Sequence, residues 1–277
     1  MNEQFFEQII QFITQRTGII PRDSHRIGIK NYIDKQLETA PKKGEAPHSY
    51  QEYIKILEDD RDEMMNLINS ATVNETYFFR EEAQFQLLKS KIYPELLEKS
   101  PIKRLRIWSA ACSTGEEIYS LLLLADSMGI RTECIASDIN TKVLTTCNDA
   151  KYKKKAVRSV DGAAFHQLLE PYKLPNGGYE LSVDIRSRVS CRQINLSRLE
   201  DFPRNQHIIF IRNVFIYFSS QMKKEILAKI AQESLVPGGY LFVSMNEVAS
   251  IDAMELPPGL EKVSDGKVFY FRKKEGL

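Results

Sequence analysis

The chain has 277 residues, 43% of them hydrophobic, and a formal net charge of +1. That length holds one large domain or two smaller ones with a full hydrophobic core. A near-zero charge excludes a bulk field for nucleic acid or a membrane surface, and the longest purely aliphatic run, Leu121 to Ala125, is far too short to span a bilayer. At the start, Met1-Asn2-Glu3-Gln4 has neither the charged nor the apolar segment of a signal peptide. Cys112, Cys134, Cys147 and Cys191 form no CxxC pair, and the scattered histidines give no zinc spacing. No metal site is expected, and a reducing cytoplasm fits best.

Phe5, Ile9, Phe12 and Ile13 recur at helical spacing before Gly18 and Pro21 punctuate the chain. A second helical pattern covers 27–37 and stops before Pro41-Lys42-Lys43-Gly44. Two more helices are expected over 50–57 and 62–68, joined by the acidic turn Glu58-Asp59-Asp60. Residues 1–85 are therefore expected as an all-helical domain, with a linker to about 100. From Leu105 short apolar runs alternate with helical patterns, which implies βαβ units and a mostly parallel sheet over 101–277. Strands are predicted at 105–110, 133–137, 207–212, 240–244 and 268–272, and helices at 116–127, 141–150 and 221–234. Pro237-Gly238-Gly239 should end the last helix and turn into the next strand, and Asp265-Gly266 suits a tight hairpin. Residues 158–194 interrupt the alternation. Alternating stretches over 179–183 and 188–193, after Pro175-Asn176-Gly177-Gly178, predict a small antiparallel β insertion that projects from the domain.

The stretch from Leu105 to Glu117 is the most telling. The apolar run Leu105-Arg106-Ile107-Trp108 gives way to Ser109-Ala110-Ala111-Cys112-Ser113-Thr114-Gly115, then Glu116-Glu117 opens a helix. Small side chains let a ligand approach the backbone, and a helix start offers free N–H groups. Carboxylates there argue against a polyphosphate and for a nucleoside-like, partly cationic ligand. Glu117 suits either a ligand ammonium group or the helix dipole alone. Cys112 reads as a small filler in preference to a reactive thiol. Cys134-Ile135-Ala136-Ser137-Asp138 is a second apolar run ending in an acid. In open α/β sheets ligands bind at the carboxyl ends of strands, where an acid can bond ribose hydroxyls. Asp138 is equally well read as a cap before Asn140-Thr141.

Two further blocks carry chemistry. In Asn74-Glu75-Thr76-Tyr77-Phe78-Phe79-Arg80-Glu81 the phenylalanines suit the core, whereas Asn74, Thr76 and Arg80 have no packing reason to be there. Arg80 can clamp a carboxylate bidentately, or pair at the surface with Glu81 or Glu82. In Phe210-Ile211-Arg212-Asn213-Val214-Phe215-Ile216-Tyr217-Phe218 an apolar strand is broken by Arg212-Asn213, which is costly unless paired or ligand-bound. Tyr217 follows at a spacing that brings its hydroxyl to the same cleft, or packs as core with that hydroxyl satisfied.

Taken with Pro237-Gly238-Gly239, these blocks resemble CheR, the chemotaxis-receptor glutamate methyltransferase, in order and over nearly the whole chain. The resemblance implies a mostly parallel, doubly wound, Rossmann-like sheet of the S-adenosylmethionine-dependent methyltransferase type. An all-α N-terminal domain and a small β insertion complete it. It implies methyl transfer to receptor glutamates, giving γ-carboxyl methyl esters and S-adenosylhomocysteine. It also implies cofactor contacts from Asn74, Thr76, Arg80, Glu117, Asp138, Asn195, Leu196, Arg212 and Asn213, with Ala110 in the small-residue floor. Arg212 and Tyr217 of the R-N-V-x-I-Y motif would lie near the transferred methyl, and Arg80, Arg212 and Tyr217 are the catalytic candidates.

Charge suggests the partner. Arg22, Arg26 and Lys30 are four residues apart and share one helix side, extended by Lys35, Lys42 and Lys43. Such a face suits an acidic receptor helix bundle, with a solvated surface as the bland alternative. The Pro175-Asn176-Gly177-Gly178 loop is short for the peptide tethering seen in some family members, which favours direct recognition of the bundle; a monomer is expected. A methyltransferase for another protein or small acid, or a cofactor-binding signalling module without catalysis, are the competing readings.

Overall fold

The computed structural model describes residues 3–38, 50–72, 74–99 and 104–275. The first helices are α1 (Glu3–Thr17), α2 (Asp23–Glu38), α3 (Tyr50–Asp59) and α4 (Arg61–Ser70). Each turns an apolar stripe inward, so that Ile9, Ile13, Ile29, Ile33, Tyr53, Leu57 and Leu67 form one small core. Asp60 caps α4 by accepting from the N–H groups of Asp62 and Glu63. Arg22 precedes α2 instead of lying on it. Lys42 and Lys43 fall outside the described residues.

The stretch expected as a linker is helical. It holds α5 (Glu82–Leu87), a single π turn (Leu88–Ile92) and α6 (Tyr93–Lys99). Phe85, Leu88, Ile92 and Tyr93 are fully buried in the core shared with the sheet.

The α/β region runs β1 (Arg104–Ala110), α7 (Glu116–Ser127), β2 (Arg131–Asp138) and α8 (Thr141–Asp149). It continues through β3 (Lys151–Tyr152), β4 (Tyr179–Glu180), α9 (Val183–Arg186), β5 (Val189–Gln193) and β6 (Gln206–Ile211). It closes with α10 (Ser220–Lys229), β7 (Leu235–Phe242), α11 (Met245–Asp252), β8 (Leu260–Asp265) and β9 (Val268–Lys273). Seven strands form one sheet in the order β5-β2-β1-β6-β7-β9-β8, parallel except for β9 against its neighbours. Alternate residues of β6 feed opposite layers: Ile208 and Phe210 on one side, Ile209 and Ile211 on the other. The chain passes outward through β1, β2 and β5, then returns beside β1 as β6. That reversal opens a crevice at the carboxyl ends of β1, β2 and β6.

Three expectations are corrected. The 188–193 stretch is no part of an insertion hairpin; it is β5, the edge strand of the main sheet, paired parallel to β2. The antiparallel insert is reduced to β3 against β4, two residues each. It does not project freely, because Phe165 stacks on Phe79 at 5.3 Å and joins the main core. A Cβ on Gly162 would lie 2.8 Å from the Phe79 Cβ. Finally, Pro237-Gly238-Gly239 lies inside β7. The pairing with β6 jumps there, from Gln206 opposite Leu235 to Ile208 opposite Tyr240, so the glycines make a bulge where a helix-to-strand turn was expected.

Candidate active site

The loop leaving β1 is built for close approach. Ala111, Ser113 and Gly115 take positive φ of 59°, 50° and 95°. A Cβ on Gly115 would sit 2.4 Å from Cys147 Sγ, so no larger residue fits. The loop folds against the end of β2. Ser113 N donates to Asp138 Oδ2 and Asn140 N to Asp138 Oδ1, both at 2.9 Å. Burial pushes the Asp138 carboxyl above its ordinary range, against the opposing pull of the Asn140 and Ser113 N–H groups. Cys112 is buried. Its hydrogen bond with Cys147 favours the thiolate, but burial and the Asp138 charge outweigh it and hold the thiol above its ordinary range. That environment matches a filler, not a nucleophile.

Arg212, just beyond β6, is the most enclosed cation among the described residues, its side chain 2% exposed. Its Nε donates to Glu117 Oε2 at 2.6 Å, and its Nη1 donates to the Arg80 carbonyl at 2.7 Å and to Gln84 Oε1 at 3.0 Å. The guanidinium also lies over the Phe210 ring at 5.1 Å. Glu117 is completed by Ser109 Oγ, which donates to Oε1 at 2.6 Å. Each Glu117 oxygen thus accepts one hydrogen bond from this chain, and the pair with Arg212 fixes the guanidinium. Asn213 then turns the backbone with φ 57°. Glu247, in the first turn of α11, receives the N–H groups of Asn213 at 2.7 Å, Ser244 at 3.2 Å and Ile216 at 3.3 Å. This buried carboxylate pins the loop that carries Tyr217.

The helical region closes the crevice from above. Ile20 N donates to the Tyr217 carbonyl at 2.8 Å, and Arg22 Nη2 donates to the Ile216 carbonyl at 3.0 Å. Asn69 and Thr141 exchange hydrogen bonds at 3.2 and 3.3 Å, and Asn140 Nδ2 donates to Thr72 Oγ1 at 2.7 Å. Asn74 Nδ2 also donates to Thr72 Oγ1, at 3.2 Å, and the Asn74 carbonyl accepts from Ser113 Oγ at 3.3 Å. Asn195 caps a short turn by accepting from Ser197 N and reaches the Arg16 carbonyl at 3.4 Å. Arg80 is held more loosely: Nη1 donates to the Glu75 carbonyl at 2.9 Å and the guanidinium lies 5.5 Å from the Tyr77 ring centroid.

The loop after β1, the ends of β2 and β6 and the helical region enclose one cleft that is open to solvent. Asn74, Thr76, Arg80, Glu117, Asp138, Asn195, Leu196, Arg212, Asn213 and Tyr217 all border it, although they come from five separate stretches of chain. Ala110 does not. Strand alternation turns its side chain into the core below, and Ala111, one residue on, reaches the wall instead. Sequence reasoning missed His25, Thr72 and Ser113 on the wall and Glu247 and Gln84 behind it. None belongs to a motif with its own signature, although Ser113 was within reach as part of the small-residue loop. The donor set suits a nucleoside with a charged tail. Ile139, Ile194 and Leu196 offer an apolar wall beside the Asp138 carboxylate, and Asn74, Ser113 and Arg80 offer polar groups around it. Among the described residues no helix is long and apolar enough to cross a membrane.

Residues 74–256 match the family model for the CheR methyltransferase SAM-binding domain. The chain is similar to chemotaxis protein methyltransferase Cher2 of Pseudomonas putida, 33% identical over 253 residues, covering 87% of this chain and 89% of that relative. It is also similar to the chemotaxis protein methyltransferase of Escherichia coli, 32% identical over 258 residues, covering 89% and 85%. Among solved structures, the TehB-like SAM-dependent methyltransferase of Corynebacterium glutamicum aligns with 80% of this chain and 99% of its own, at TM-score 0.40 and 11% identity.

Proposed function

The chain belongs to the CheR methyltransferase family, and on that premise we propose that it methylates glutamate side chains of chemotaxis receptors, forming γ-methyl esters. It is an S-adenosylmethionine-dependent methyltransferase. The observation that carries the reading of its site is the single cleft that joins Asp138 at the end of β2 to Arg80, Arg212 and Tyr217. When bound, S-adenosylmethionine supplies an electron-poor methyl that a carboxylate oxygen can take directly, leaving the thioether S-adenosylhomocysteine.

A free glutamate has a pKa of about 4.3 and is already ionised at neutral pH, so this chain needs no general base. Its residues bind, align and partly desolvate. Asp138 would accept the ribose hydroxyls. Ile139, Ile194 and Leu196 would hold the base, with Asn195 beside them, and Asn74, Thr76 and Asn213, which line the same cleft, would hold the rest of the cofactor. Arg212, immobilised by Glu117, is a fixed floor on the cofactor side. Arg80 and Tyr217, with fewer protein partners, orient the acceptor. The acceptor helix lies along α2, where Lys30 is exposed and Arg26 is paired with Glu7. Arg22 belongs less to that face than to the site, since it holds the Ile216 carbonyl.

The test is methyl transfer from radiolabelled S-adenosylmethionine to receptor-containing membranes. Label incorporated into receptor and released by mild base is the expected result, because esters hydrolyse there. Tight cofactor binding without labelled product across several receptors would overturn the reading.

A further inference from the structure

His25 comes from α2, far in sequence from every strand-end motif, yet it borders the cleft and is 2% exposed. Its ring packs edge-on against Tyr217, with centroids 4.5 Å apart and planes at 61°. Its Nδ1 accepts the backbone N–H of Arg22 at 3.2 Å. A ring nitrogen that accepts carries no proton, so the neutral imidazole keeps its proton on Nε2. That Nε2 is buried with no hydrogen-bond partner among the described residues. Other buried polar atoms share this condition, on His166, Gln206, Ser234, Tyr240 and Arg272, but of these residues only His25 lines the cleft. A buried donor without an acceptor is unfavourable and needs an explanation. A ligand that brings an acceptor into the cleft provides one.

We propose that His25 orients the methyl acceptor, its Nε2–H donating to a carboxylate oxygen of the incoming glutamate beside Tyr217. The proposal rests on the methyl-transfer reading above. Burial, with the nearby Arg22 charge, holds the imidazole below its ordinary range, so it stays a neutral donor at pH 7. A neutral donor aligns an oxygen without neutralising its charge, whereas a full ion pair with Arg80 would blunt the nucleophile. His25 also shares α2 with Arg26 and Lys30, the helix along which the acceptor is proposed to lie. The other carboxylate available in the cleft is that of the cofactor's methionine tail, and the experiment separates the two.

Two substitutions in the full chain divide the functions of the ring. His25→Asn keeps an acceptor in the place of Nδ1, and with it the Arg22 contact, but has nothing at Nε2. His25→Gln reaches the Nε2 position with an N–H donor and gives up the Nδ1 acceptor. Methyl transfer to receptor membranes and calorimetric affinity for S-adenosylmethionine are measured for both. We expect His25→Asn to lower kcat by about 10- to 100-fold with cofactor Kd within about twofold, and His25→Gln to stay within about fivefold of the parent. The reverse order means that His25 only holds the Arg22 backbone and overturns the proposal, as does equal loss in both variants. A cofactor Kd weakened about tenfold or more by His25→Asn assigns the donor to the methionine tail and also overturns it. Failure of the unsubstituted protein to form ester brings down both readings; ester formation with the wrong variant order brings down this one alone.

Discussion

The two walls of the cleft are built differently. On the sheet side every charged group is already committed: Glu117 to Ser109 and Arg212, Arg212 to Arg80 and Gln84, Asp138 to the loop N–H groups. On the cap side Arg80 has one carbonyl and one ring for company, and the Tyr217 ring packs edge-on against His25, whose Nδ1 accepts from Arg22. A committed wall is preorganised and rebinds the same small ligand at little reorganisation cost. A lightly held wall can adapt to a protein acceptor that differs from site to site. On the function proposed above, the division assigns the cofactor to the sheet side and the acceptor to the cap side, and it can be broken by experiment.

The largest effect should come from the two arginines compared. Arg212→Ala leaves Glu117 buried without its cation, which by analogy with other broken buried pairs costs about 3–5 kcal/mol of folding stability. Arg80→Ala should leave stability within about 0.5 kcal/mol, since its contacts are few, yet lower methyl transfer about 10-fold or more. Denaturant titration and turnover on the same preparations decide it. Equal destabilisation by the two substitutions would erase the contrast between the walls.

Asp138 tests the sheet side next. Removing a charged acceptor of ribose hydroxyls costs roughly 1.5–3 kcal/mol, so Asp138→Ala should weaken S-adenosylmethionine about 10- to 150-fold by calorimetry. An unchanged Kd would remove the ribose role. The pH dependence carries a second signature. Because burial raises this carboxyl above its usual 3.8, it takes up a proton at a higher pH than a free aspartate as the solution is acidified. A carboxyl with a raised native pKa contributes stability that is present below the free value and lost as pH rises through the native one. Acidification should therefore weaken cofactor binding through Asp138 without Asp138 weakening the fold, and Asp138→Asn should flatten that part of the affinity profile.

The contrast between walls also explains what could be read from the residues. The α7 limits and the cores of β1, β2, β6 and β9 follow from apolar runs and periodicity strong enough to survive tertiary context. β8 was not anticipated because Glu261, Lys262 and Ser264 dilute its pattern, as suits an edge strand. β5 reads like an insertion strand because an exposed edge alternates in the same way. In the site, the strand-end groups announce themselves, since a charge inside an apolar run has few explanations. Glu247 and His25 do not. They act through a buried first turn and an unpaired ring nitrogen, and both look like ordinary helix residues until the chain is folded.

The smallest expected effect lies at the outer edge of the cap, and it separates residues that the sequence grouped together. Arg22 bonds the Ile216 carbonyl, Arg26 is paired with Glu7 and packs over Phe6, and Lys30 is exposed with no ion-pair partner among the described residues. If an acidic receptor helix lies on this face, the unneutralised cation should matter most. Lys30→Glu should raise receptor KM about three- to tenfold at low salt, and Arg26→Glu less, because Glu7 already offsets its charge; exposed pairs are worth about 0.2–1 kcal/mol. Cofactor Kd should not move in either variant. The KM effect should fade toward 0.15 M salt, where the Debye length is about 8 Å. A KM that ignores Lys30→Glu returns this face to solvent and moves acceptor recognition inward, to the groups that line the cleft itself.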